Sequence, residues 1–147
     1  MCATALVILG CGSKSNNPSP NNPDYKKLLI GKWITPRDTI REYTNDKLTK
    51  TYVINVEATD YLEFKADGTG SERWTHLVFP YTYNVNNKVV TLKKAAVKDG
   101  PDTYPADEFS WEIREATSNH LYLYYENVET DSQGNVYKEI EHSHYSK

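Results

Sequence analysis

Apolar and polar side chains alternate with period two over most of the chain beyond residue 50, the spacing of strands with one buried face. Tyr52, Ile54 and Val56 share one face, opposite Thr51, Asn55 and Glu57. Leu62 and Phe64 repeat the pattern and run into the turn chemistry of Ala66-Asp67-Gly68-Thr69-Gly70. Tyr81, Tyr83 and Val85 align, Asn86-Asn87 offers a two-residue hairpin turn with positive φ, and Val90 and Leu92 return. Phe109, Trp111 and Ile113 form the next set, then Leu121, Leu123 and Tyr125. A polar turn at residues 130–135 leads into a last strand over residues 136–145. The pattern predicts eight or nine strands and no long helix, with a single helical turn within residues 28–33. Residues 94–105 carry Gly100, Pro101 and Pro105 and read as a loop. Short hairpins in sequence order predict an up-and-down antiparallel meander. Closing it into a single β-barrel of about eight strands would remove the sticky edges.

The first 23 residues break this pattern. Residues 3–9 are apolar, which suits a short signal core and is far too short to span a bilayer. Ile8-Leu9-Gly10-Cys11 resembles the lipobox of bacterial lipoproteins. The resemblance implies a signal peptide over residues 1–10, cleavage before Cys11, and acyl chains on that cysteine sufficient for stable membrane anchoring. No Lys or Arg precedes the apolar run, as if the start lay inside a longer signal. Residues 12–23 are Ser, Asn, Pro, Gly and one Lys, a composition that cannot form a core. They read as a disordered tether of at most roughly 40 Å. Residues 24–147 are then one domain. No acidic cluster follows Cys11, and such clusters resemble surface-export signals of some Gram-negative lipoproteins. The expected address is therefore the cell envelope, on the periplasmic face of the outer membrane of a Gram-negative bacterium.

Composition narrows the chemistry. The only cysteines are Cys2 and Cys11, so the domain has no internal disulfide, no thiolate zinc site and no cysteine nucleophile. Twelve tyrosines and a single methionine suit half-buried pleated surfaces. Net charge is −3, but it is uneven: residues 24–98 carry 13 basic and 9 acidic side chains, and residues 107–141 carry 2 and 9. Cross-strand pairing between the two halves accounts for this more simply than an electrostatic partner does. No basic stripe for nucleic acid is present.

Gly31-Lys32-Trp33 at the mouth of the first strand, then Tyr61–Gly70 and Tyr81–Leu92 in that order, resemble the lipocalin and calycin group, closest to the lipocalin-like domains of bacterial lipoproteins. The resemblance covers nearly all of residues 24–147. It implies that Gly31 and Trp33 plug one end of the barrel beneath a basic side chain from the last strand, for which Lys138 is the candidate by chain order. Thr59-Asp60-Tyr61 also spells a second lipocalin motif, but it precedes the middle strands and reads as coincidence. These features speak to fold rather than function.

Catalytic signatures are absent: no Gly-x-Ser-x-Gly, no phosphate-binding glycine loop, no His-Glu-x-x-His. His142 and His144 share a strand face with Ile140, which could turn them inward toward a metal. A frayed, exposed terminus is the simpler reading, and neither metal nor cofactor is expected. Acidic pairs such as Glu139/Glu141 or Glu108/Glu112 read as solvated rather than as a glycosidase pair. The aromatics carry the functional expectation: Tyr81, Tyr83, Trp111 and Tyr125 line a pocket open at the end opposite Trp33 and bind a small apolar or amphipathic molecule. The other reading of these side chains is a barrel that they fill completely. The alternative is a non-catalytic module docking another envelope protein, for which Tyr122 and Tyr124, facing outward, would form an exposed aromatic patch.

Overall fold

The structure, a computed structural model, describes residues 23–34 and 37–147. The signal segment, Cys11 and most of the tether lie outside the described residues. Among the described residues the fold is all-β, with 69% in strands and one short helix. That helix, α1 (Tyr25–Leu29), starts where the Asp24 side chain accepts from the Lys27 backbone amide. It drops Tyr25 and Leu29 into the core. No helix among the described residues is long and apolar enough to cross a membrane.

Ten strands form one antiparallel sheet: β1 (Gly31–Trp33), β2 (Arg37–Thr44), β3 (Lys47–Asn55), β4 (Tyr61–Phe64), β5 (Thr69–Trp74), β6 (Leu77–Asn86), β7 (Val89–Lys94), β10 (Asp107–Ala116), β11 (His120–Thr130) and β12 (Val136–Ser146). A separate hairpin pairs β8 (Val97–Asp99) with β9 (Asp102–Tyr104) around Gly100 at φ +58°. The sheet order is β1-β4-β5-β6-β7-β10-β11-β12-β2-β3, and it curls into a half-barrel.

The expected closed eight-strand barrel is thus corrected. β12 takes β2 on its free edge over seven residue pairs, and β3 follows, so the sheet ends in a hairpin rather than returning onto its first strand. β4 pairs with β1 and not with β3. The curl brings Ile34 against Ser146 in a single bridge with two 2.8 Å hydrogen bonds, and the strand pairing goes no further among the described residues. β3 remains a long edge strand; Lys47 and Lys50 on it discourage pairing with another chain.

Local chemistry explains the strand count. The β2–β3 turn places Asn45 and Asp46 at φ +50° and +61°, the hairpin geometry whose twist matches the flanking strands. Asn87 does the same at φ +53°, and Gly68 turns β4 into β5 at φ +86°. Asp131 folds the β11–β12 loop by accepting from the amides of Gln133 and Asn135, both at 2.9 Å. Residues 94–105, expected to be irregular, contain β8 and β9.

On β4, β6, β7, β10 and β11 the inward residues are those the alternation predicts, from Leu62 and Phe64 through Val90, Leu92, Ile113, Leu121 and Leu123. Phe64 meets Tyr81 and Tyr83 edge-on at 5.8 and 4.9 Å. The charge imbalance resolves in part into cross-strand pairs, including Lys93–Glu108 at 3.0 Å between β7 and β10.

Candidate functional site

Two regions occupy the concave side of the sheet. One is close-packed. Trp33 is fully buried there, and its indole Nε1 donates to the Leu29 carbonyl at 2.6 Å. Gly31 sits at φ +130°, a backbone shape that favours glycine. The cation over the Trp33 ring is Lys147, 4.2 Å from its centroid and bonded to the Ile30 carbonyl at 2.7 Å. Lys138, expected in that role, instead lies over Tyr43 and reaches Asp46 at 3.3 Å.

Tyr81 and Tyr83 belong to this packed region and not to a pocket. Their hydroxyls donate to the carbonyls of Glu63 and Lys65 at 2.6 and 2.7 Å. Burial pushes both hydroxyls above their ordinary pKa, which keeps them protonated as donors. A buried tyrosine needs a partner for its hydroxyl, and the neighbouring backbone supplies it without any ligand. Placing them in a pocket therefore needs correction.

The other region is a cavity of roughly 320 Å³. Trp111 and Tyr125 line it, with Phe109 packed edge-on against Trp111 at 4.7 Å. Its other walls mix aliphatic side chains, Ile40, Ile54, Val56 and Leu62, with acids that were not expected there. Asp38 enters from β2, Asp60 from the β3–β4 loop, Glu72 from β5 and Glu141 from β12. Lys94 neutralises Glu72. Ser143 donates its single hydroxyl proton to Glu141 Oε1 at 2.7 Å. Asp38, paired across the ladder with Ser143, keeps Oδ1 without a hydrogen-bond partner among the described residues. Asp60 accepts the Glu57 amide on Oδ2 at 3.2 Å, and its Oδ1 is likewise unpartnered among them. Burial pushes the carboxyls of Asp38 and Glu141 above the ordinary carboxylate range. The Ser143 hydrogen bond counters the shift in Glu141, while Glu72 adds to it in both and Asp38 adds to it in Glu141.

Sequence reasoning missed these acids for a definite reason. β12 presents Glu141, Ser143 and Tyr145 to the interior and His142 and His144 to the outside, the reverse of the parity inferred from Ile140. Outside, His142 accepts from Arg41 on Nε2 at 3.0 Å, because a guanidinium can only donate. Its proton is therefore on Nδ1 and faces the Tyr122 oxygen at 2.6 Å. Burial first, then Arg41, hold this imidazole below its ordinary pKa. Both ring nitrogens are engaged, and among the described residues no three His, Cys, Asp or Glu side chains are placed to hold a metal ion. Tyr122 stacks on His144 at 4.3 Å, and the Arg114 guanidinium lies 4.4 Å over Tyr124. The outer aromatics are thus capped by polar groups of the same chain.

Neither a protein-family model nor a curated protein matches the chain. Among solved structures it is similar to an uncharacterized protein from Bacteroides eggerthii, at 12% identity and a TM-score of 0.45, over 81% of this chain and 99% of that one.

Proposed function

We propose that the chain is a lipid-anchored cell-envelope protein with a lipocalin-like half-barrel that binds a small amphipathic molecule in its concave cavity. The observation that supports this most is the cavity itself, roughly 320 Å³ and walled by Trp111, Phe109 and Tyr125 beside polar groups. Its size lies at the low end of small-molecule pockets, and apolar walls with a few convergent polar atoms are their usual lining. The polar capping of Tyr122 and Tyr124 gives the docking alternative no continuous apolar patch there. Native mass spectrometry of the chain isolated from its own host tests the reading. The expected result is a small organic adduct on the wild-type chain that is lost in Trp111→Ala, with the far-ultraviolet circular dichroism unchanged. An adduct-free wild-type chain, or one whose adduct survives the substitution, would contradict it.

The anchor is proposed on Cys11 and its lipobox-like context. Cys11→Ala is expected to move the mature protein from the detergent phase to the aqueous phase on phase partitioning, or to leave an unprocessed precursor. Cleaved, unlipidated protein still entering the detergent phase would count against an anchor there.

A further inference from the structure

Asp38 and Asp60 enter the cavity from different elements, and both are more than nine-tenths buried, at 6% and 3% exposure. Each carries an oxygen without a partner among the described residues. Buried polar atoms in folded proteins are nearly always paired, so two orphan acceptors in one cavity need a reason. Among the described residues, the two cations that line the cavity do not supply one. Lys94 is held by Glu72, and Arg73 directs its Nε to the Thr75 carbonyl at 3.1 Å. Counting all its walls, the cavity has five acidic and two basic side chains.

The aromatic walls carry the same message. Lys94 lies 4.6 Å over Phe109 and Lys32 lies 3.8 Å over Tyr61, so these two rings already face cations of the chain. Trp111 and Tyr125 face none among the described residues. A cation against an indole face is a favourable contact, more so when desolvated. Taking the cavity to be a ligand site, as proposed above, we infer that its ligand carries a protonated primary or secondary amine, with N–H groups donating to Asp38 and Asp60 and its apolar body against Trp111 and Tyr125.

The chemistry narrows the class further. A quaternary ammonium has charge but no N–H to satisfy the orphan oxygens. A carboxylate or phosphate would meet net negative charge in a low-dielectric wall and is repelled. A neutral alcohol can donate one hydrogen bond but leaves the charge uncompensated. Burial first, and the neighbouring carboxylates after it, raise the Asp38 and Glu141 carboxyls, and an ammonium beside them would oppose that rise.

Three probes of one shape and different charge test this by isothermal titration of the full chain: 2-phenylethylamine, 2-phenylethanol and 3-phenylpropanoate. The amine is expected to bind at least tenfold more tightly than the alcohol, with the propanoate weakest. Asp38→Asn keeps the side-chain shape and removes a buried charge, so it is expected to fold, to reduce amine affinity at least tenfold and to leave alcohol affinity unchanged. Asp60→Asn should do the same, and it carries the test if Asp38→Asn does not fold. An alcohol binding as tightly as the amine, or an amine affinity indifferent to both substitutions, would overturn the inference while leaving the cavity reading in place. If none of the three probes binds the wild-type chain, both fall together.

Discussion

Trp33→Ala is expected to lower the unfolding free energy by about 3–5 kcal/mol, a large part of what a domain of this size has. The indole is fully buried among core side chains, so truncation leaves a cavity on top of the lost transfer energy. It also strands the Leu29 carbonyl, which receives the indole N–H at 2.6 Å, at the point where α1 ends. Lys147 loses the ring it lies over. Trp33→Phe separates these contributions: it keeps most of the apolar volume but removes the donor, and is expected to cost about 1–3 kcal/mol. Urea denaturation followed by circular dichroism measures both. Equal losses for the two variants would show that the hydrogen bond, and not the packing, dominates at this position.

Gly70→Ala is expected to cost about 3 kcal/mol or more, although alanine is ordinarily the gentlest replacement. The reason is space. A methyl group there would collide with the Glu63 carbonyl oxygen and with the Tyr81 ring, which are joined by the 2.6 Å bond from the Tyr81 hydroxyl. The carbonyl belongs to the β4 backbone and cannot swing aside as a flexible side chain could. Gly134 is the contrast: its φ of +85° favours glycine, but nothing stands within 4 Å of an added methyl. Gly134→Ala should therefore cost only the backbone term, roughly 1–2 kcal/mol. Denaturation midpoints rank the two, and a Gly70→Ala domain as stable as Gly134→Ala would mean that Tyr81 is not packed against β5 as described.

Much of the fold was legible because period-two alternation is a direct consequence of a half-buried sheet. It located the inward faces of β4, β6, β7, β10 and β11 residue by residue. It failed at β2, where the inward positions include Asp38, a charge, so the strand carries no apolar stripe to read. It chose the wrong parity at β12, where Ile140 and Tyr145 put apolar side chains on opposite faces and only the register with β2 and β11 decides between them. The half-barrel was not legible, since closure depends on which strand occupies the last free edge.

The site divided along the same line. Trp111 and Tyr125 were found by pattern, whereas Asp38, Asp60 and Glu141 were invisible to a rule that puts carboxylates outside. Thr59-Asp60-Tyr61, whose likeness to a family motif reads as coincidence, delivers a buried acid to the cavity wall.

A ligand that enters this cavity and leaves the packed core untouched is reported separately by the three tryptophans. Trp111 lines the cavity wall, Trp74 lies at its more exposed border, and Trp33 is sealed in the packed core. Fluorine NMR of the chain labelled with 5-fluorotryptophan, titrated with 2-phenylethylamine, follows all three at once. The expected result is a saturable shift of the Trp111 resonance, a smaller one at Trp74 and none at Trp33. A Trp111 resonance that stays fixed through saturating amine would contradict the account.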